Sequence, residues 1–450
     1  MILKTLTLIF VTIFLLKQIG CATPPSYDHQ KMTYVANHEP VTMDSADLTI
    51  TPFFSPDNSI QTLTSLVESA EKRIDIGIPG FSSWSGCSYA KDGKLGCSAS
   101  KQRNDEKFTI FPALLNALHR GVEVRILTNN YNSVPTYEDQ LIDPLTFLKL
   151  AGADVRYFNT VTFLHTKYMQ IDGKKGTISS VNYSHCSFME NREAGVVFEG
   201  TSAHTLLSFL DGIFGFDFKQ ATPMKAYPYN SASMAIIKDQ TPISYTLPKP
   251  YNFKNAYVTP VTPVKGKFDN LQINASPDFS RSSLISQIQQ AQTSFAVMIY
   301  QINDDGLCDM LEDLSLKLGK DNVKILVSRH IYGYDDWVTS QVCYKKLYKA
   351  GVKIQLTKSG GYQYSHQKFW IVDGQHLGMS TGNWSPTDYP DGSDVFPSYQ
   401  ADSSKWRKTN RDYTISLTNK DVVSIFQKVL DEDFERGSQY VPNQNDVRFG

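Results

Sequence analysis

His165-Thr166-Lys167-Tyr168-Met169-Gln170-Ile171-Asp172 and, 201 residues later, His366-Gln367-Lys368-Phe369-Trp370-Ile371-Val372-Asp373 carry one spacing of His, Lys and Asp twice. Eight residues past each Asp stands a hydroxyl, Ser180 or Thr381, and ten past it an amide, Asn182 or Asn383. Further on come Asn191 with Glu193, and Asn410 with Asp412. One such match is within reach of chance; two, with matching companions at matching offsets, are not. Each segment reads as a strand. Residues at i and i+2 share a face there, so His165 stands beside Lys167 and His366 beside Lys368. An imidazole next to an ammonium suits an anionic phosphate.

Working outward, the repeat extends over most of the chain. Ser55-Pro56-Asp57 and Ser276-Pro277-Asp278 each open a helical pattern, carried by Leu63, Leu66, Val67 and Ala70 and by Leu284, Ile285, Ile288 and Ala291. Strand-like runs follow at 73–78 and 294–299. The halves then correspond as helix 111–119 with strand 122–128 and helix 307–318 with strand 323–328. A helix end at 147–151 closed by Gly152 precedes strand 155–158, and its counterpart at 346–350 closed by Gly351 precedes strand 352–356. Helical patterns at 206–218 and 422–434 complete the halves. This alternation predicts an α/β protein of two similar lobes, each a mixed sheet flanked by helices.

At 450 residues the chain exceeds the size of one hydrophobic core, and its 41% apolar and 20% charged residues are those of a globular protein. Residues 23–220 are assigned to the first lobe and 266–450 to the second. Between them, 221–265 is rich in Pro, Tyr and Thr and reads as a connector packed on the surface.

Residues 1–22 stand apart: Lys4, an apolar run from Thr5 to Leu16, then Gly20-Cys21-Ala22. That layout predicts a signal peptide, with an uncleaved signal anchor as the alternative, and hence a secretory route. Removing it takes away Lys4 and Lys17 and no acid, leaving 42 basic against 45 acidic side chains, about −3. Such a balance disfavours a general nucleic-acid-coating protein. An oxidising compartment permits Cys87–Cys97 and Cys308–Cys343 pairs with Cys186 left over; free, core-packed cysteines are the other reading. Of the sequons at Asn182, Asn274 and Asn383, only Asn274 lies outside the motifs and is the expected glycan site.

The paired segments resemble the HxKxxxxD motifs of the phospholipase D superfamily, and the likeness runs from about Thr49 to Tyr440. That resemblance implies lobes related by a pseudo-two-fold axis with one site at their interface. Where the family has Gly-Ser-x-Asn, this chain has Ser179-Ser180-x-Asn182 and Ser380-Thr381-x-Asn383, without the Gly. Chemically, two imidazoles with ordinary values near ~6.5 can divide labour, one attacking phosphorus and one moving a proton. The resemblance implies His165 as nucleophile and His366 as general acid, the repeat itself leaving the two formally equivalent. Lys167, Lys368, Asn182 and Asn383, with Ser180 and Thr381, are the expected phosphate-binding set. Glu193 and Asp412 are expected to orient the imidazoles, and the motif acids Asp172 and Asp373 to support the site. No metal or other cofactor is expected.

Two substrates fit that chemistry: a phosphatidylcholine-like phospholipid at a membrane surface, cleaved to phosphatidate and free head group, or single-stranded nucleic acid in a luminal exonuclease. The charge balance and N-terminus favour lipid. A non-catalytic binding protein conflicts with intact His and Lys in both motifs. The segment between Asn383 and Asn410, with Tyr389, Phe396, Tyr399 and Trp406, reads as a lid, a rim or a plain surface loop. Residues 82–106 read as a second rim loop. Oligomeric state is not legible.

Overall fold

The computed structural model describes residues 38–81, 96–105, 108–130, 141–248, 261–357, 362, 364–391, 409–442 and 448–449. The N-terminal segment, most of the 82–106 loop and the part of the second-lobe insertion holding Phe396, Tyr399 and Trp406 lie outside them.

In the first lobe the elements are β1 (Ala46–Ser55), α1 (Ser59–Glu68), β2 (Arg73–Gly77), α2 (Ile110–His119), β3 (Glu123–Thr128), α3 (Pro144–Ala151), β4 (Asp154–Tyr157), β5 (Tyr168–Ile171), β6 (Lys175–Ser179), β7 (Glu193–Glu199) and α4 (Ala203–Gln220). Local chemistry sets the bounds. Asp143 caps α3 by accepting from Thr146 N at 3.0 Å, with Pro144 at the first helical position where its missing N–H costs nothing. Gly152, at φ 121°, ends it. A connector helix, α5 (Ser231–Ile237), follows and packs on the first lobe.

The second lobe repeats the scheme with β8 (Val264–Ala275), α6 (Ser280–Gln289), β9 (Phe295–Ile299), α7 (Asp305–Leu318), β10 (Val323–Val327), α8 (Tyr334–Lys349), β11 (Lys353–Leu356), β12 (Lys368–Val372), β13 (His376–Ser380), β14 (Tyr413–Thr418) and α9 (Lys420–Arg436). The first sheet runs β1-β7-β6-β5-β2-β3-β4 and the second β8-β14-β13-β12-β9-β10-β11. In each, β2–β3–β4 or β9–β10–β11 is parallel and the rest antiparallel. The expectation of two similar mixed α/β lobes is therefore met, and the two sheets match each other in strand order.

Strand β8 was not foreseen. Its first half pairs antiparallel with β1, Val264 opposite Ile50, and its second half with β14, Ala275 opposite Tyr413. The register breaks between Asp269 and Gln272, where Asn270 takes φ 47°. One strand thus belongs to both lobes; its first half alternates in burial, but with Lys265, Gly266, Lys267 and Asp269 in it few apolar residues mark it as a strand in the sequence. Helix α8 also begins twelve residues earlier than the pattern suggested. Its solvent face carries Tyr334, Val338 and Val342, 62%, 37% and 61% exposed, which blurs the polar–apolar contrast on which periodicity rests.

The sheets face each other across α4 and α9, which form a shared core. Phe426 of α9 lies 5.2 Å from Phe54 of the first lobe and 5.1 Å from Phe369 of the second, and Tyr168 meets Tyr413 at 5.5 Å. Each such buried ring contributes roughly 1.5–3 kcal/mol, so the lobes are welded. Separate apolar clusters lie under α1–α3 and under α6–α8. Cys308 bonds Cys343, joining α7 to α8, and Cys186 is free. Cys97 is disulfide-bonded, with Cys87 outside the described residues. Asn274 is 1% exposed on β8, so the glycan expectation there is corrected: a sugar on it would require dismantling the strand. Among the described residues no helix is long and apolar enough to cross a membrane.

Candidate active site

The two His-x-Lys segments are placed by each other's lobes. His165 N donates to Arg411 O at 2.9 Å, and His366 N donates to Arg192 O at 2.8 Å. Short parallel pairings carry this, Leu164 with Arg411 and Ser365 with Arg192. Regular strand therefore starts only at Tyr168 and Lys368, because the backbone before it is spent across the interface. Each lysine is buried and folds back to donate to its own histidine's carbonyl, Lys167 to His165 O and Lys368 to His366 O, both at 2.6 Å. Lys167 Nζ also donates to Thr381 O at 3.2 Å, and its charge reaches His366 and Lys368. The half-sites form one buried cluster.

The expected orienting acids do cross over. His366 Nδ1 meets Glu193 Oε2 at 2.9 Å, and His165 Nδ1 meets Asp412 Oδ1 at 3.0 Å. Both contacts use Nδ1 and leave Nε2 for chemistry. A second acid, which sequence reading missed, flanks His165: Asp388 Oδ1, 3.0 Å from Nδ1. Asp388 is 2% exposed and is fixed by Asn410 Nδ2 at 2.6 Å, Ser385 Oγ at 2.7 Å and Asn383 N at 3.0 Å.

Charge separates the two rings. Burial and Lys167 push His165 down, but Asp412 and Asp388 outweigh them and hold its pKa above the ordinary value. Burial lowers His366 to about 4, reinforced by Lys368 and Lys167 and opposed by Glu193 alone. Burial likewise brings Lys167 to about 8 and Lys368 well below its usual range. Asp388 is held low against burial by His165, whereas burial raises Asp412, with its neighbour's charge adding to the effect. Tyr300 also packs edge-on against the His366 ring at 5.1 Å, with Lys368 Nζ 5.6 Å from its centre.

Behind each orienting acid sits a buried arginine that the sequence reading does not single out. Arg192 donates to Asp57 at 3.0 Å and to Asp433 of α9 at 2.9 Å. Arg411 donates through two nitrogens to Asp217 of α4, at 3.0 and 3.2 Å, with Asp278 3.7 Å away. Thus the Asp of each Ser-Pro-Asp serves the arginine of its own lobe, and the central helix of the other lobe supplies the second carboxylate. The signal was present in the matching triplets Asn191-Arg192-Glu193 and Asn410-Arg411-Asp412.

Two assignments change. Asp172 and Asp373 are not at the imidazoles: they sit at φ 55° and 53°, each before a left-handed glycine, in the hairpins after β5 and β12. Asp172 accepts from the N–H groups of Glu71, Lys72 and Arg73, and Asp373 from those of Gln292, Thr293 and Ser294. A strand's length, roughly 15 Å, separates them from Lys167 and Lys368. Ser180 and Thr381, expected to bind phosphate, instead donate their single proton to Glu193 and Asp412, each at 2.6 Å. Asn182 and Asn383 are half-buried, and neither Oδ1 finds a partner among the described residues. Away from the imidazoles, His185, Cys186 and Glu190 bring one donor atom each to within 4.8 Å of one another.

A duplicated α/β chain that pools two His-Lys sets in one buried cluster is the architecture of the phospholipase D superfamily. The family model described as cardiolipin synthase, PLD-like domain, matches residues 63–210 and again 284–434. The chain belongs to this PLD-like family, within a superfamily of phosphodiesterases and phospholipid-modifying enzymes. Its fold is similar to that of phosphatidylserine synthase from Haemophilus influenzae Rd KW20, with a TM-score of 0.55 at 11% identity over 86% of this chain and 87% of that one. Polyphosphate kinase from Porphyromonas gingivalis aligns with TM-score 0.48 at 9% identity, over 89% of this chain and 53% of that one. The phospholipase D family member Nuc from Salmonella typhimurium aligns with 0.30 at 17%, over 38% and 97%. No curated protein matches the chain.

Proposed function

We propose that the chain is a phospholipase D-type phosphodiesterase acting on phosphatidylcholine-like phospholipids through a phosphohistidine. The observation that carries this is the pair of imidazoles, 14% and 12% exposed, each bonded through Nδ1 to an acid of the opposite lobe, with a buried lysine beside each. Fixing Nδ1–H makes Nε2 the reactive nitrogen on both rings. One Nε2 attacks phosphorus; the other gives its proton to the leaving oxygen and then removes one from water. Lys167 and Lys368, with the Asn182 and Asn383 amides, would take the non-bridging oxygens, and an arriving phosphate would favour the charged form of both lysines.

The family model's lipid-synthase description supports a lipid, and so does the largely uncharged set of exposed apolar and aromatic residues Tyr332, Tyr334, Val338 and Val342 around β10–α8. A second reading, single-stranded nucleic acid, is favoured by the aromatics leading away from His366. Tyr300 touches that ring, Tyr364 lies 6.2 Å beyond it, and Tyr332, 75% exposed, donates its N–H to Tyr300 Oη. Entry to the secretory pathway remains part of the proposal.

The test is purified protein with choline phospholipid and a primary alcohol, run beside a single-stranded oligonucleotide. Phosphatidyl-alcohol formation supports the lipid reading, and oligonucleotide shortening alone replaces it with the nuclease. His165→Ala and His366→Ala should each remove multiple turnover on the natural diester by roughly 10³-fold or more. Full activity in either variant would refute the two-histidine mechanism.

A further inference from the structure

We infer that His185, Cys186 and Glu190 form a binding site for one thiophilic divalent cation of the zinc class, next to Asn182 and outside the phosphodiester chemistry. The site does not depend on which diester the chain cleaves.

The three residues share one tight turn, the short helix His185–Met189 and the residue that ends it, Glu190. All three are half-exposed, so an ion can reach them from solvent. One donor atom of each lies within 4.8 Å of the other two, with His185 Nδ1 3.4 Å from Glu190 Oε1. The Cys186 thiol bonds to the same carboxylate. The backbone beneath them is fixed. Ser184 caps the helix by accepting from Ser187 N at 3.2 Å. The Cys186 carbonyl accepts from Glu190 N at 2.8 Å and from Asn191 N at 2.7 Å, which turns the chain back and brings Glu190 over His185 and Cys186. Phe188, on the inner side, is buried 5.9 Å from Phe108 and 6.0 Å from Tyr183. Donors on a turn held this way lose little freedom when they bind.

The repeat shows that the turn does not need these donors in order to form. In the second lobe Ser385 caps the matching turn by accepting from Asp388 N at 3.1 Å. Pro386 and Thr387 stand there in place of His185 and Cys186. A turn that folds with proline and threonine has no structural call for an imidazole and a thiol. The donor set then selects the ion. Thiolate, imidazole and carboxylate together suit zinc and its neighbours, at bond lengths of about 2.0–2.3 Å. Magnesium and calcium take oxygen ligands and would find a single carboxylate. Three protein ligands on a half-exposed turn leave the fourth position to water. On binding, the S–H bond breaks, its electron pair goes to the metal and its proton to solvent, so no oxidant or reductant is involved. The turn runs from Asn182 to Asn191 and Glu193, and an ion in it braces the link between that amide and the orienting acid.

Cobalt(II) is the probe, because its spectrum reports sulfur ligation directly. Titrating the full chain should raise a thiolate-to-cobalt charge-transfer band that saturates at about one ion per chain. Zinc should abolish the band, and excess magnesium or calcium should not. Cys186→Ser should lose it while circular dichroism stays native, as Thr387 in the matching turn leads one to expect. His185→Ala and Glu190→Gln should keep the band but bind more weakly by at least the roughly 10–100-fold that loss of an outer partner costs. Zinc should also raise the urea midpoint and slow amide exchange across 184–192 in the native chain, and do neither in Cys186→Ser. No band in the native chain, or one that survives Cys186→Ser, would overturn the assignment. So would cobalt bound without the band and lost on Asp388→Asn, which would put the ion on His165, Asp388 and Asp412. None of these readings uses hydrolysis, so the metal site and the phosphodiesterase reading stand or fall separately.

Discussion

The His165 half-site and the His366 half-site are built from the same repeat, yet they are electrostatically unlike. Both have a lysine folded onto the histidine carbonyl, a hydroxyl on the orienting acid and a buried arginine behind it. Among the described residues, the His165 side alone has a second carboxylate, and the His366 side alone has a tyrosine ring against the imidazole. Duplication explains how two histidines come to face one site. It cannot explain how they divide a reaction, since equivalent rings would compete for one proton. The departures from symmetry, Asp388 against one ring and Tyr300 against the other, are what make the two rings unlike.

The sharpest way to break the comparison is to neutralise one orienting acid at a time. Among the described residues Glu193 is the one carboxylate on His366, and Glu193→Gln should lower kcat roughly 10³-fold by leaving the ring free to take the wrong tautomer. Asp412→Asn leaves Asp388 in place, so about tenfold is expected. Steady-state rates on one diester, with folding checked by circular dichroism, decide it. Equal losses would show that the second carboxylate does nothing.

The buried arginines test the symmetric part. Replacing Arg192 with Met strands Asp57 and Asp433, and replacing Arg411 with Met strands Asp217 and Asp278, all of them buried. Each change should cost about 3 kcal/mol or somewhat more in urea unfolding, because an uncompensated buried carboxylate remains. Adding Asp433→Leu to Arg192→Met should recover part of the loss. A cost near zero for one arginine alone would show that the lobes are not held together alike.

How much of this was legible follows from what repeats. The His-Lys-Asp spacing, the Asn positions and the crossing acids Glu193 and Asp412 occur twice, and repetition lifts them above chance. Asp388 occurs once: five residues past Asn383, it stands where the first lobe has Ser187 five past Asn182, so the repeat pairs a carboxylate with a hydroxyl and gives no matching acid to notice. Arg192 and Arg411 did repeat, but a lone charged residue in sequence reads as solvated surface, and only the fold shows each with two acids. Ser180 and Thr381 were found and misassigned: a hydroxyl near a phosphate site is an obvious ligand until its one proton is seen to be engaged. Strand β8 was hidden because half of it pairs at the seam, where Lys265, Lys267 and Asp269 are tolerated. The extent of α8 was hidden by apolar residues on its wet face.

The motif aspartates give the smallest effect and the clearest separation of fold from chemistry. Burial pushes both carboxyls up, but the backbone N–H groups of Arg73, Glu71 and Lys72 at Asp172, and of Ser294, Thr293 and Gln292 at Asp373, outweigh it and hold both below the ordinary value. A depressed carboxyl stabilises the fold fully above the unfolded value near ~4 and less as pH falls through the folded one. Asp172→Asn and Asp373→Asn should therefore each cost about 1–2 kcal/mol at neutral pH and flatten the acid slope of stability, with kcat within about twofold. Asp373 should lose slightly more, since it also accepts from Thr293 Oγ1 at 2.9 Å. Urea unfolding at several pH values, beside activity at pH 7, reads both quantities. If activity collapsed while stability held, the third letter of the motif would belong to the chemistry after all, and its place at the hairpin would need another reason. With the reverse result, His and Lys act on phosphorus, and Asp holds the turn in which their strand ends.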